Sequence, residues 1–91
     1  MIVGTWYGKD PEKPREIILP KGAQIFFGRL ECGAVVICGI ADENIKGVEV
    51  RNFLALRLGA KVDISSERMK YINSVAGGIG GDTYHIFEIL P

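Results

Sequence analysis

The chain has 91 residues, 47% of them apolar, and its eleven basic side chains are balanced by eleven acidic ones. This length corresponds to one domain over residues 1–91, and the apolar fraction excludes a disordered chain. A zero net charge argues against a nucleic-acid-binding domain, which usually carries a basic excess, and it provides no attraction to an anionic membrane surface.

The N-terminal segment has the pattern of a strand and not of a targeting signal. A signal peptide needs an apolar core of roughly 7–15 residues, whereas glycine interrupts residues 1–8. The longest apolar run, Ala34–Ala41, is shorter than the roughly 20 residues that cross a bilayer. We therefore expect a cytoplasmic protein with no membrane partner. Cys32 and Cys38 fit this expectation, because a reducing compartment keeps thiols free.

Four strands are predicted in the first half of the chain. Apolar and aromatic residues lie between connections that are rich in proline, glycine and charge, which is typical of strands. Because the connections are short, they favour an antiparallel meander. The predicted strands cover residues 2–7, 15–19, 23–30 and 34–40.

The fourth of these strands carries apolar side chains on both of its faces. A strand at the surface of a small sheet alternates apolar and polar residues, and residues 34–40 do not. Both faces of the sheet must therefore be covered at this point. Since a chain of this length has little material for two covers, we expect a second copy of the chain to cover one face, and the protein to be a homo-oligomer.

The apolar spacing changes after residue 42 and predicts a helix. Asp42 and Asn44 are suitable N-caps, and Gly59 is a suitable C-terminal cap. Between them, apolar residues recur at spacings of three and four, which is typical of one helical face. The residues of this stripe are Val50, Phe53, Leu54 and Leu58.

A second helix and a last strand are predicted in the rest of the chain. Ser65 or Ser66 caps the helix, and Gly77 ends it. Its apolar face holds Met69, Ile72, Val75 and Ala76. The strand covers residues 83–90. The order β-β-β-β-α-α-β predicts an α+β fold, a mostly antiparallel sheet of about five strands with both helices on one face.

The candidate ligand-binding residues lie at two connections and in the last strand. Asp42 stands at a predicted strand-to-helix junction, where ligands often bind, although helix capping is the simpler interpretation. Gly80, Gly81 and Asp82 belong to a glycine-rich loop. Phosphate loops follow a strand and open a helix, whereas this loop follows a helix, so we interpret it as a wide turn or a mobile loop over a site.

His85 is the single histidine and is the fifth candidate. A histidine acts as a general base or a metal ligand, but a strand histidine with an ordinary hydrogen bond is the simpler interpretation. A nucleophilic pair of Cys38 with His85 is disfavoured, because Cys38 is expected to be buried. No cluster with metal-ligand spacing is present in the sequence, so no metal and no cofactor is predicted.

Two segments resemble the YunC-like family of small proteins. Residues 16–21 read Glu-Ile-Ile-Leu-Pro-Lys, and residues 33–42 read Gly-Ala-Val-Val-Ile-Cys-Gly-Ile-Ala-Asp. In that family a Leu-Pro-Lys element precedes a strand, and an apolar Cys-Gly strand leads into a helix. The second half of the chain has no clear counterpart there. The resemblance implies a small α/β domain, and it implies no activity and no catalytic residue.

Two classes of function follow from these patterns. The first is a self-associating domain that binds a partner or a small ligand and has no catalysis of its own. The second is a small enzyme, or an enzyme subunit, with a site at a subunit boundary near Asp42, Asp82 and His85. Scarce Asn and Gln, short loops and mixed charges are consistent with a thermophilic source.

Overall fold

The computed structural model describes residues 1–9, 15–31, 34–77 and 82–91. These residues form seven strands and one short 3-10 turn over Ser66–Arg68. The strands are β1 (Ile2–Lys9), β2 (Arg15–Pro20), β3 (Gln24–Glu31), β4 (Ala34–Ala41), β5 (Val48–Arg57), β6 (Met69–Gly77) and β7 (Asp82–Ile89). The predicted α+β fold is therefore wrong, and the chain is nearly all β.

The strands form two antiparallel sheets that pack face to face. The first has three strands in the order β1-β4-β3, and the second has four in the order β2-β5-β7-β6. β3 lies next to β6, and β1 lies next to β2, at the two long rims of this sandwich. The core between the sheets contains large side chains from both, among them Leu19, Val35, Ile37, Phe53 and Ile86.

The first predicted helix is wrong because β5 is apolar on both faces over its second half. Residues 53–55 are buried, and they face alternately into the core and away from it. A run that is apolar on both faces contains every spacing, including the three and four that are typical of a helix. The β-branched residues Val48 and Val50 favour the strand as well.

The second predicted helix is wrong because β6 contains a β-bulge. The register of β6 against β7 shifts between Tyr71 and Asn73, which leaves Ile72 as the extra residue. Ile72 and Val75 both pack against the core. The bulge therefore produces an apolar spacing of three inside a strand.

The strands predicted near residues 2–7, 15–19, 23–30, 34–40 and 83–90 are confirmed, with bounds that differ by one or two residues. Their predicted arrangement in one five-stranded meander is wrong. β2 pairs with β5 and not with β1 or β3, and β1 pairs with β4. The antiparallel direction is confirmed in every pair that the structure describes.

Both faces of β4 are covered, as the sequence predicts. Val36 is fully buried although it faces away from the second sheet. Its cross-strand neighbours are Tyr7 and Arg29, so long side chains of β1 and β3 cover the central strand. Since the cover comes from the same chain, the burial of β4 gives no argument for a second copy, and self-association stays a prediction.

Candidate functional site

The rim between β3 and β6 is closed by a side-chain amide. Asn73 Oδ1 accepts a hydrogen bond from the Gly28 backbone N–H at 2.8 Å, and Asn73 Nδ2 donates one to the Gly28 carbonyl at 3.0 Å. The amide thus pairs with β3 as a neighbouring strand would. A Cβ at Gly28 would lie 2.8 Å from Ile86 Cδ1 and 3.1 Å from Ile86 Cγ2, so a larger residue there requires the buried Ile86 side chain to shift. We call this pair of residues the closed rim.

The beginning of β5 is paired on one side only. β5 pairs with β2 over Val48–Phe53, but with β7 over Asn52–Arg57. The four residues 48–51 therefore have no strand partner on the β7 side among the described residues. We call this segment of β5 the open edge.

Two hydrogen bonds determine which backbone groups of the open edge are free. In an antiparallel pair, alternate residues direct both N–H and C=O to the same neighbour. The Lys21 N–H donates to the Gly47 carbonyl at 3.1 Å, so Gly47, Glu49 and Arg51 face β2. Val48 and Val50 then face the β7 side.

The hydrogen bonds of β7 lead to the same assignment of the free groups on β5. The Leu90 N–H donates to the Arg68 carbonyl at 2.7 Å, so Leu90 faces β6 and Ile89 faces β5. Ile89 lies opposite Asn52, and the next position on this side of β5 is Val50. The register would bring Pro91 opposite Val50, but Pro91 lies outside the strand and has no N–H to donate.

The open edge borders a cavity of about 710 Å³. This volume is in the range of ligand-binding sites. The lining comes from the open edge, the end of β7, the start of β6 and the turn before β3. It includes Gly22, Ala23, Glu49, Val50, Arg51, Asn52, Ile64, Arg68, Lys70, Glu88, Ile89, Leu90 and Pro91. We call this space the β5 cavity.

A nearly buried ion pair forms one wall of the β5 cavity. Arg51 Nε and Nη2 donate to the two carboxylate oxygens of Glu88 at 2.7 and 2.8 Å, and Arg51 Nη1 donates to the Ala23 carbonyl at 2.6 Å. The Glu88 side chain is 8% exposed and the Arg51 side chain 16%. The hydrogen bond to Glu88 raises the pKa of Arg51, so the guanidinium stays charged. The pair joins β5, β7 and the turn before β3.

The remaining charges make the cavity lining positive. Arg51, Arg68 and Lys70 give three positive side chains, and Glu49 and Glu88 give two negative ones, so the side chains of the lining sum to +1. Arg51 is neutralised by Glu88, whereas Lys70 forms no ion pair with any residue that the structure describes. Arg68 Nε donates to the Leu90 carbonyl at 3.0 Å. Arg68 and Lys70 are both exposed and available to an anionic group.

The structure does not bring the predicted site residues together. Asp42 follows β4 and closes a turn, its Oδ1 accepting from the Asn44 N–H at 2.9 Å. It lies at the Ala23 end of the sandwich, because Gln24 pairs with Ile40. Asp82 begins β7 at the opposite end, and the eight residues of β7 span roughly 25 Å. Gly80 and Gly81 lie outside the described residues.

Asp82 and His85 lie on β7 but in different surroundings. Asp82 Oδ2 is 3.8 Å from Arg57 Nη1, at the rim of a smaller cavity of about 430 Å³. His85 lies on the outer face of the four-stranded sheet, where its Nδ1 is 2.6 Å from Ser74 Oγ. The Ser74 hydroxyl is also 2.7 Å from the Tyr71 hydroxyl.

The Ser74–His85 pair has the residue types of a nucleophile and a base, but its position lacks the rest of a catalytic site. An acyl-transfer site needs donors aimed at a developing oxyanion. The N–H groups around His85 lie in the plane of the sheet and serve the ladder between β6 and β7. Among the described residues, no three His, Cys, Asp or Glu side chains are grouped to hold a metal ion.

The sequence-based reasoning missed Arg51 and Glu88. With β5 interpreted as a helix, Arg51 falls on a solvated charged face, and Glu88 is one polar residue in an alternating strand. A period-two pattern in Val48-Glu49-Val50-Arg51 is the signal that would have placed Glu49 and Arg51 on one face of a strand.

Comparison of the chain with protein-family models, with curated proteins and with solved structures found no match. The YunC-like resemblance therefore stays a prediction. No helical segment in the described part of the chain has the length and apolarity needed to cross a membrane.

Proposed function

We propose that the protein is a binding module without catalysis of its own, and that its ligand inserts an anionic group into the β5 cavity. The observation that carries this proposal is the combination of unpaired backbone groups with an excess of positive charge in one cavity. Binding sites typically combine an apolar lining with a few convergent polar groups. Val50, Ile64 and Ile89 supply the apolar part here.

The geometry favours binding over catalysis for a physical reason. The strongest polar group in the cavity, the Arg51 guanidinium, uses one N–H of each of its three nitrogens on Glu88 and Ala23. A paired and hydrogen-bonded charge supports the walls of a site, whereas a reacting group must be free to exchange protons. Recognition then falls to Arg68, Lys70 and the open edge.

The proposal is tested by titrating the ¹⁵N-labelled protein with succinate, a small dianion, and following the backbone amide signals. We expect signals from residues 49–52 and 88–90 to shift, and the shifts to be lost in the Arg68→Ala/Lys70→Ala double variant. Lys61→Ala makes the same chemical change outside the cavity lining and should leave the titration unchanged. Shifts that are absent, or that persist unchanged in the double variant, contradict an anion site.

Self-association is a second candidate, and one observation favours it. Ile18, Val48 and Val50 are 64%, 67% and 54% exposed, and they share the outer face of the four-stranded sheet. Adjacent exposed apolar side chains are typical of an interface. Native mass spectrometry distinguishes the two: a dimer that Ile18→Asp converts to a monomer supports self-association, and a monomeric protein contradicts it.

A further inference from the structure

We propose that the ligand of the β5 cavity is an extended peptide segment of a partner protein, which adds as an antiparallel strand to the open edge. This inference rests on the proposed function, because it takes the β5 cavity as the site. It goes further by naming the class of ligand, its direction and the pattern of its side chains.

The backbone of the open edge is what selects a strand. Val48 and Val50 each direct one N–H and one C=O to the side where β7 is missing. The two residues are about 6.8 Å apart along the strand, so three consecutive residues of a peptide reach both. Unpaired N–H and C=O groups in a row are a template for another strand, and peptide-binding domains use such edges.

The chain direction of the bound peptide follows from β7, because the peptide extends the line of that strand along β5. β7 is antiparallel to β5 and ends opposite Asn52, one pairing position before Val50. A segment that lies in line with β7 repeats the same ladder toward Val50 and Val48. In that ladder, the peptide residues opposite Val50 and Val48 exchange hydrogen bonds with them.

The side chains around the open edge predict an alternating peptide. Peptide residues opposite Val48 and Val50 share their face, which is apolar and exposed, so apolar side chains fit there. The residue between them lies opposite Glu49 and points to the face of Glu49 and Arg51. Glu49 Oε1 is 3.7 Å from Arg51 Nη1, which offsets part of the negative charge that an acidic side chain meets there. On that face Arg51 is already paired with Glu88, whereas Lys70 has no ion partner among the described residues. Acidic side chains at alternate positions complement Lys70 and the nearby Arg68.

The test uses the peptide acetyl-Val-Glu-Val-Glu-Val-amide and two methylated forms of it. Methyl groups on the valine nitrogens remove the N–H groups that face β5, and methyl groups on the glutamate nitrogens remove those that point away. We expect the first form to bind at least roughly tenfold more weakly than the parent peptide, since its ladder hydrogen bonds are lost. The second form should bind nearly as well as the parent.

A peptide with lysine in place of glutamate tests the charge, and it should bind more weakly than the parent. Equal binding of the two methylated forms would overturn strand addition, even if succinate still shifts the cavity signals, and the proposed anion site would survive. If neither succinate nor any peptide binds, the proposed function fails together with the inference. If native mass spectrometry shows a dimer that neither binds the peptide nor is dissociated by it, while an Ile18→Asp monomer does not bind the peptide either, the inference is wrong.

Discussion

The closed rim and the open edge solve the same physical problem in opposite ways. Both are strand edges with backbone groups that need partners. At the closed rim, the Asn73 amide satisfies the N–H and the C=O of Gly28. At the open edge, Val48 and Val50 keep theirs unpaired on the β7 side, and Val50 lines the cavity. The difference indicates that this chain supplies a side chain where closure stabilises the fold, and leaves the backbone free where we infer a partner.

The closed rim and the open edge also differ in the interactions that hold their backbones in place. The closed rim rests on one neutral amide and on a glycine packed against the Ile86 side chain. The open edge is held in place by a bidentate ion pair that joins three segments of the chain. A binding site without a neighbouring strand needs other contacts to hold its backbone in position, and the Arg51–Glu88 pair supplies them here.

Glu88→Ala is expected to have the largest effect on stability. It removes the bidentate partner of the nearly buried Arg51 guanidinium and leaves only Glu49, 3.7 Å from Nη1, which costs about 3 kcal/mol of unfolding free energy. Urea denaturation measures the loss. Glu16→Ala makes the same change at an exposed position of β2 and should stay within about 0.5 kcal/mol of the parent. Equal losses in the two variants would contradict the supporting role of the ion pair.

A proline scan of the open edge tests which backbone groups are free. Glu49→Pro removes an N–H that faces β2 and should cost about 3 kcal/mol. Val50→Pro removes an N–H that faces the cavity, so it should cost about 1 kcal/mol or less and abolish binding of the alternating peptide. Thermal unfolding of the two variants gives the comparison. If Val50→Pro is as damaging as Glu49→Pro, the assignment of the free groups is wrong.

Asn73→Ala opens the closed rim. The N–H and C=O of the buried Gly28 lose their partners, and we expect a loss of about 2 kcal/mol in unfolding free energy. Asn44→Ala makes the same change in an exposed turn and serves as the control. Because the closed rim lies away from the β5 cavity, peptide affinity should be unchanged in Asn73→Ala. A matching loss of affinity would show that the two regions are coupled.

Removal of the positive charges at the cavity has the smallest effect on the fold. Arg68→Ala/Lys70→Ala changes two exposed side chains, so unfolding free energy should change by about 0.5 kcal/mol at each site at most. The same variant should weaken binding of the acidic peptide and flatten its salt dependence, which isothermal titration calorimetry at two salt concentrations measures. Unchanged affinity would show that Arg68 and Lys70 do not contribute to binding and that only the backbone of the open edge does.

The sequence predicts the strands well and the arrangement poorly. Short apolar runs between proline and glycine mark β1 to β4 and β7, because these signals are local. The pairing of β2 with β5 is not local: it joins Arg15 to Phe53 across two intervening strands. β5 and β6 have the apolar spacing of helices for two different reasons. β5 is buried on both faces, and β6 contains a bulge at Ile72.

The β5 cavity could not be predicted from the sequence for a related reason. Asp42, Asp82 and His85 were chosen by residue type, and residue type does not reveal which ends of strands meet. The features of the β5 cavity are a pairing that stops at Asn52 and an ion pair between Arg51 and Glu88. Both arise from tertiary register, and neither leaves a motif in the sequence.

Hydrogen exchange of four consecutive backbone amides tests the central claim most directly. In the free protein, the amides of Glu49 and Arg51 should be protected by β2, while those of Val48 and Val50 exchange rapidly. On addition of acetyl-Val-Glu-Val-Glu-Val-amide, Val48 and Val50 should become protected and the other two should change little. Four amides that exchange alike in the free protein, or valine amides that stay unprotected with the peptide bound, would contradict an open edge that accepts a strand.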